Sequence, residues 1–425
     1  MQVKTGKGTV PMMVVLAIWS LSLAVNLPGL AVTPIEGSLR DIFVGSTDFK
    51  IQLLTMLPNI VIIPFVLLSG KLSESKHKIT VITIGTVLFV AAGVLSIFSK
   101  SLNMLILLSC FLGAGCGLIL PFSTGLIADV FTGKYKVKQM GIVSAIGNIS
   151  LVAATFAVGF LVAGNLMHTW HRAFLVYLIP LLSLVLIPFL SKIPKSDYSD
   201  GSNPDAEADS KDARTADALG LLGEPGDRMV RGGFYVGRTA WLLFAYFVFI
   251  FINSVPCYYL PNLKWVSSED ASTIISVFYF AMFLSGMALT PVMKTFGKTT
   301  FIIAAAMIVA GFALYIFVRG SLVMYIIAAL LCGLANGVAQ PIFYTKATEI
   351  VTLRSKSTLA LAFIQVANYI AISLVPVIID STQKIFHTSS TLYPFVSMGI
   401  ASALLLAVVA VRSRHFVFGI SESYY

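Results

Sequence analysis

Twelve runs of apolar residues, each close to the length a helix needs to cross a lipid bilayer, constrain this chain more than any other feature. About 20 mostly apolar residues in helical form cover a hydrocarbon core of roughly 30 Å. Laid along the chain, that ruler gives spans at about 11–33, 50–70, 79–99, 103–128, 138–163, 172–191, 239–260, 272–293, 299–318, 322–347, 357–379 and 392–411. Inside lipid a helix satisfies its own backbone polar groups, so an all-α polytopic membrane protein is expected. Composition agrees, with 11% of residues charged against about 25% in a soluble domain. No small-residue cleavage site follows the first run, which reads as a retained span rather than a signal peptide.

Orientation follows from the basic residues, because Lys- and Arg-rich loops stay in the cytoplasm. With the N terminus inside, 22 of the 29 Lys and Arg fall on cytoplasmic segments. The expected location is therefore the cytoplasmic (inner) membrane, with both termini cytoplasmic. The same scatter over short loops explains the net charge of +10 without a nucleic-acid partner. Cys110, Cys116, Cys257 and Cys332 sit singly in apolar runs with no paired spacing. They read as small core residues rather than disulfide or metal ligands, and no cofactor is expected. Between the sixth and seventh spans the chain turns rich in Ser, Asp, Ala and Gly. That stretch reads as a flexible linker. The expected division is an N-terminal six-helix bundle at 1–191, a linker at 192–236, a C-terminal six-helix bundle at 237–411 and a cytoplasmic tail at 412–425.

One pattern is written twice. GAGCGLILPFSTGLIADVFTGKYK runs from Gly113 to Lys136 and GLANGVAQPIFYTKATEIVTLRSK from Gly333 to Lys356, an offset of 220 (333 minus 113). At that offset Gly113 meets Gly333, Gly117 meets Gly337, Pro121 meets Pro341, Asp129 meets Glu349, Lys134 meets Arg354 and Lys136 meets Lys356. Six spans separate the copies, so both enter the membrane in the same direction. The chain resembles the major facilitator superfamily, whose two halves are parallel repeats about an axis along the membrane normal. In the loop after span two, GKLSESKHK keeps Gly70, Leu72 and Lys78 of the family pattern, with Glu74 at the acidic position, while Ser75 and His77 depart from it. MKTFGK keeps Gly297 and Lys298 of the related loop, and WHRAF, Trp170 to Phe174, is similar to the start of the family's sixth span. Ser109 stands where drug/proton exchangers of the family carry Arg, and span five has no Gly-Pro pair. Both departures count against that subfamily.

The resemblance implies two pseudo-symmetric six-helix bundles with a solute site near the bilayer midplane, at the interface of the halves. Residues lining such a cavity should be polar and share a helical face. Asn336, Gln340 and Tyr344 recur at spacing four on span ten; Gln365, Asn368 and Tyr369 cluster on span eleven; Gln52, Thr55 and Asn59 lie on span two. Span seven offers Tyr246, Asn253, Tyr258 and Tyr259, span one Asn26, and span five Asn148 at the repeat offset from Asn368. The candidate substrate-binding set is Asn26, Asn59, Asn148, Asn253, Tyr258, Asn336, Gln340, Tyr344, Gln365, Asn368 and Tyr369. The competing reading of any one amide is a helix-to-helix hydrogen bond, worth about 0.6 kcal/mol.

No Asp or Glu falls near the middle of a span. Glu36 and Asp48, near the outer ends of spans one and two, are candidate proton sites or plain solvated charges. Lys346, the deepest charge, either snorkels to the surface or meets an anionic solute. Glu74, Lys78, Asp129, Lys134, Glu349 and Arg354 are the candidate charge network at the cytoplasmic rim, with Asp129–Lys134 and Glu349–Arg354 as its expected pairs.

The expected function is a secondary transporter moving a small organic solute by alternating access, with proton coupling implied by the resemblance. A multidrug/proton efflux antiporter is the alternative, and a non-transporting membrane sensor a remote one. No GxxxxGK[ST] phosphate loop is present, so ATP is not the direct energy source. No enzymatic constellation is visible. The expected partners are a small-molecule solute, protons and the lipid bilayer, with a monomer as the working unit.

Overall fold

A computed structural model describes every residue except 1, 7, 26, 29–34, 36–38, 40–41, 44–45, 47, 74–76, 163–168, 194–229, 264, 267, 319, 389, 414, 421–423 and 425. At 48, 49, 52, 159, 262, 268, 269, 272 and 354 it describes the backbone alone. The body of the predicted linker, at 194–229, lies outside the described residues.

Helices carry the chain. They are α1 (Met12–Leu21), α2 (Asp48–Leu72), α3 (Lys78–Phe98), α4 (Leu102–Val130), α5 (Gly133–Val162), α6 (Trp170–Lys192, its ends in 3-10 form) and α7 (Val236–Tyr259). There follow α8 (Ser268–Met287), α9 (Thr300–Phe317), α10 (Leu322–Ala347), α11 (Ser357–Ile385) and α12 (Tyr393–Val411). Helical hydrogen bonds cross Ala288 and carry α8 on through Leu289–Phe296. Gly297, at φ 48°, then breaks it in a left-handed conformation that side chains resist. Among the described residues, ten helices are long and apolar enough to cross a membrane, and two shorter apolar helices, Met12–Ala24 and Thr273–Met287, join them. Every predicted span holds a helix. This is a multi-pass, all-α membrane protein.

Two small hairpins were not expected. One pairs β1 (Gln2–Lys4) with β2 (Thr9–Pro11); the other pairs β3 (Val230–Arg231) with β4 (Phe234–Tyr235). The second docks on the chain after α10, where Tyr235 N–H donates to the Ile350 carbonyl at 3.0 Å and Thr352 N–H to the Gly233 carbonyl at 3.0 Å.

The chain forms two compact units. The first is Met1–Phe131, Ile146–Ser199 and Ser355–Tyr369; the second is Thr132–Ala145, Asp200–Arg354 and Ile370–Tyr425. Each takes the bulk of one six-helix half, with the start of α11 in the first unit and the start of α5 in the second. The exchanged stretches obey the repeat: 132–145 shifted by 220 is 352–365, which overlaps Ser355–Tyr369.

Glycine spacing explains the tightest packing. In the first unit a Cβ at Gly113 or Gly117 would strike the Pro58 or Ile62 carbonyl of α2. In the second, a Cβ at Gly333 or Gly337 would strike the Phe278 or Met282 carbonyl of α8. Adding 220 to 58 and 62 gives 278 and 282, so the repeat preserves the partners as well as the glycines. Lipid gives helices no hydrophobic reason to associate, so close van der Waals approach at small residues does that work. The start of α11 meets α2 in the first unit, Ala362 and Leu359 against Gly70. The start of α5 meets α8 in the second, Gly141 against Gly286 and Leu289. Pro121 and Pro341 lie inside α4 and α10; membrane helices tolerate proline because neighbouring groups re-satisfy the backbone carbonyls it frees.

Candidate functional site

The richest polar cluster centres on Gln340 of α10, in the second unit. Its side-chain carbonyl accepts from the Ser144 hydroxyl of α5 at 3.1 Å. Its amide nitrogen donates to the Tyr344 hydroxyl at 2.9 Å and the Tyr246 hydroxyl of α7 at 3.4 Å. The Tyr246 hydroxyl in turn donates to that of Tyr344 at 3.3 Å. Spacing four puts Gln340 and Tyr344 on one face of α10, so a single amide ties three helices. Phe343 and Phe249 wall the cluster, with Phe343 lying 5.2 Å from the Tyr246 ring and 5.6 Å from Phe249.

Above it lie two amides with unused capacity. Asn253 of α7 is buried; its nitrogen donates to the Phe249 carbonyl at 2.9 Å and its Oδ1 has no protein partner. Turning that amide over would set oxygen against oxygen, so the free atom is an acceptor. Asn336 of α10, also buried, reaches the Met282 sulfur at 3.7 Å and likewise leaves Oδ1 without a partner. Pairing of Tyr235 with Ile350 at one level and Tyr246 with Tyr344 at the next makes α7 and α10 antiparallel. Asn253 is seven residues on from Tyr246 and Asn336 eight back from Tyr344, so at 1.5 Å per residue both stand about 11 Å along the pair from the tyrosines. An orphaned buried amide is costly unless something meets it.

The remaining candidates are dispersed. In the first unit Asn148 of α5 is buried with an unpartnered Nδ2, while Asn59 is half-buried and donates to the Thr55 carbonyl of its own helix at 3.2 Å. Gln365 and Asn368 are buried on α11, and Tyr369 packs in the first unit's apolar core. Tyr258 is 40% exposed and stands outside the Gln340 cluster. Its neighbour Tyr259 instead donates to Asp380 of α11 at 2.7 Å. Asn26, Glu36 and Glu74 lie outside the described residues, as do the side chains of Asp48 and Arg354.

The charge network differs from its expected pairing. Asp129 takes Lys78 at 2.8 Å. Lys134 is exposed and makes no ion pair among the described residues. Lys78, the first residue of α3, and Asp129, near the end of α4, fall in one unit in which α3 packs along α4. Lys346 does not snorkel; it is 2% exposed. Its ammonium lies 3.9 Å from Glu349 and over the rings of Phe416 at 4.7 Å and Tyr424 at 5.3 Å, so its charge is already matched within the protein. Glu349 also accepts from the Tyr424 hydroxyl at 2.5 Å, and Lys136 donates to the Thr348 hydroxyl at 2.9 Å. Sequence reasoning missed Ser144, Asp380 and Tyr424. Ser144 alone carried a signal, as a polar residue on span five one turn before Asn148. Among the described residues no three His, Cys, Asp or Glu gather closely enough to hold a metal ion.

A family model described as Major Facilitator Superfamily matches residues 12–376. Quinolone resistance protein NorA of Staphylococcus aureus is 27% identical over 161 residues, 37% of this chain and 41% of that protein. Multidrug transporter protein MdtP of Bacillus subtilis is 27% identical over 150 residues, 35% of this chain and 26% of that protein. The matched stretch thus spans about two fifths or less of those relatives. Among solved structures, the proton:xylose symporter XylE aligns with a TM-score of 0.68 at 16% identity, over 94% of this chain and 95% of that one. At that identity the likeness speaks to the fold alone.

Proposed function

The chain belongs to the Major Facilitator Superfamily, and from that premise we propose that it is a secondary transporter moving a small organic solute across the cytoplasmic membrane by alternating access. The observation that carries the reading is the Gln340 cluster. Ser144 of α5 and Tyr246 of α7 meet one α10 amide there, two buried amide oxygens stand further along the same helix pair, and aromatic rings wall it. A soluble-protein core would leave such groups satisfied; a site that takes up and releases a ligand keeps them exchangeable. Amide oxygens accept hydrogen bonds, so hydroxyl- or amine-bearing solutes with an apolar body suit the site better than organic anions that lack a donor.

The direction and coupling follow the same reading. The names of the two relatives favour efflux of drug-like compounds over nutrient uptake, and proton coupling supplies the energy in place of ATP. The termini lie on the basic, cytoplasmic side, one chain is the working unit, and no catalysis is assigned. Drug efflux driven by protons is tested with everted vesicles carrying the protein, energised by an imposed pH gradient and offered a quinolone, a neutral sugar and an organic anion. Gradient-dependent accumulation of the quinolone supports efflux. Gradient-dependent movement of the sugar or the anion alone overturns it in favour of a narrower solute carrier.

A further inference from the structure

The segment after α12 does not trail into solvent. Phe416, Val417, Phe418, Ile420 and Tyr424 are all buried in the second unit. His415 starts a tight turn, accepting at its carbonyl from Phe418 N–H at 3.1 Å and Gly419 N–H at 2.7 Å. Phe418 lies 5.9 Å from the Phe301 ring of α9. Two cations share one ring: the Arg238 guanidinium of α7 lies 4.8 Å from the Phe416 centroid and the Lys346 ammonium of α10 lies 4.7 Å from it. Desolvated cation–π contacts of this kind are worth more than exposed ones.

The contact with most leverage falls on Glu349. One carboxylate oxygen accepts from Tyr424 at 2.5 Å and the other faces Lys346 at 3.9 Å. Glu349 belongs to a tightened turn that ends α10, with Thr348 N–H on the Thr345 carbonyl at 3.0 Å and Glu349 N–H on the Lys346 carbonyl at 2.9 Å. In that turn the Thr348 hydroxyl receives Lys136 of α5. Alternating access requires the ends of α5 and α10 to part, and Tyr424 holds the residue next to the one that joins them.

We propose that Tyr424 is a positioning residue and that, with residues 415–420, it forms a strap: by fixing Glu349 it sets the turn that receives Lys136, and so biases the transporter toward the state in which this end is shut. The contacts described above tie the strap to α7, α9 and the end of α10, so its effect on access runs through the shape of the α10 turn. The inference rests on the transporter reading above, since a strap has access to bias only if the ends move.

The test uses the full chain in detergent, with the four native cysteines replaced and a single probe at Met140→Cys. Met140 is fully buried on α5, beside the Gly141 contact with α8, so a maleimide reaches it only when this end opens. Tyr424→Phe keeps the ring and removes the hydroxyl. It is expected to speed labelling about tenfold, the scale of one lost hydrogen bond to a charged group, with the melting temperature unchanged. In a Glu349→Leu background Tyr424→Phe should add no further increase, because the acceptor is gone. An unchanged labelling rate, a full increase on the Glu349→Leu background, or a rise that merely tracks a fall in melting temperature would each overturn the proposal. A protein that moves no solute yet shows the expected labelling pattern would sink the transport reading while leaving the strap standing, so the two failures are distinguishable.

Discussion

Gly113 and Gly333 do the same work on the two halves: each lets its helix close onto a carbonyl of the helix beside it, Pro58 on α2 for one and Phe278 on α8 for the other. The obstacle to a methyl group is backbone, which cannot rotate away. Alanine at either position is expected to cost about 1–3 kcal/mol through overpacking, seen as a lowered melting temperature in detergent. Alanine at Gly147, whose nearest neighbour would stand 3.6 Å off, is expected to leave the melting temperature alone. Equal tolerance at 113, 333 and 147 would contradict the packing account.

Gln340→Leu removes three hydrogen bonds at once and leaves Ser144, Tyr246 and Tyr344 to find other partners. Solute affinity is expected to fall at least about tenfold, while Tyr344→Phe, which gives up one hydroxyl, loses several-fold at most. Titration calorimetry with a stabilising solute separates the two. Unaltered affinity in Gln340→Leu would take the site elsewhere.

Asn253→Leu offers a contrast between stability and function. The side chain is buried with an unpartnered oxygen, so replacing it with an apolar group of similar size should leave thermal stability unchanged or raise it by about 1 kcal/mol. Transport is expected to drop. A variant that unfolds instead would mark Asn253 as a structural amide.

Asp129→Asn should be felt and Lys134→Ala should not. Asp129 is nearly fully buried and paired with Lys78, which keeps 26% of its side chain in contact with solvent. Solvent screening holds the expected loss to about 1–2 kcal/mol. If Lys134→Ala destabilises as much as Asp129→Asn, the observed pairing is not the one that matters.

The sequence made the helices legible because span length is set by bilayer thickness and carries its own signal. It made the repeat legible because Gly113, Gly117, Gly333 and Gly337 stand where two backbones touch, and no other residue fits. Along α10 the polar stripe was readable from spacing alone, and Gln340 and Tyr344 do meet. Other relationships were not readable. Lys78 and Asp129 are 51 positions apart, and nothing local distinguishes Lys78 from Lys134 as a partner. Lys346 sits near a helix end, where snorkelling is the usual outcome; instead it is buried with its ammonium over Phe416 and Tyr424, in a stretch too short and mixed to register as a span. The exchange of the α5 and α11 starts between units is likewise a product of packing, which apolar patterning does not encode.

The central claim, that this chain carries an organic solute through a site built around Gln340, is tested most directly by counterflow in proteoliposomes. A panel of solutes is first sorted by its effect on melting temperature, and those that stabilise the protein are preloaded and exchanged against labelled solute outside. The account predicts exchange of at least one such solute by the intact protein and its loss in Gln340→Leu. Absence of counterflow for every solute that stabilises the protein, or undiminished exchange in Gln340→Leu, would contradict it.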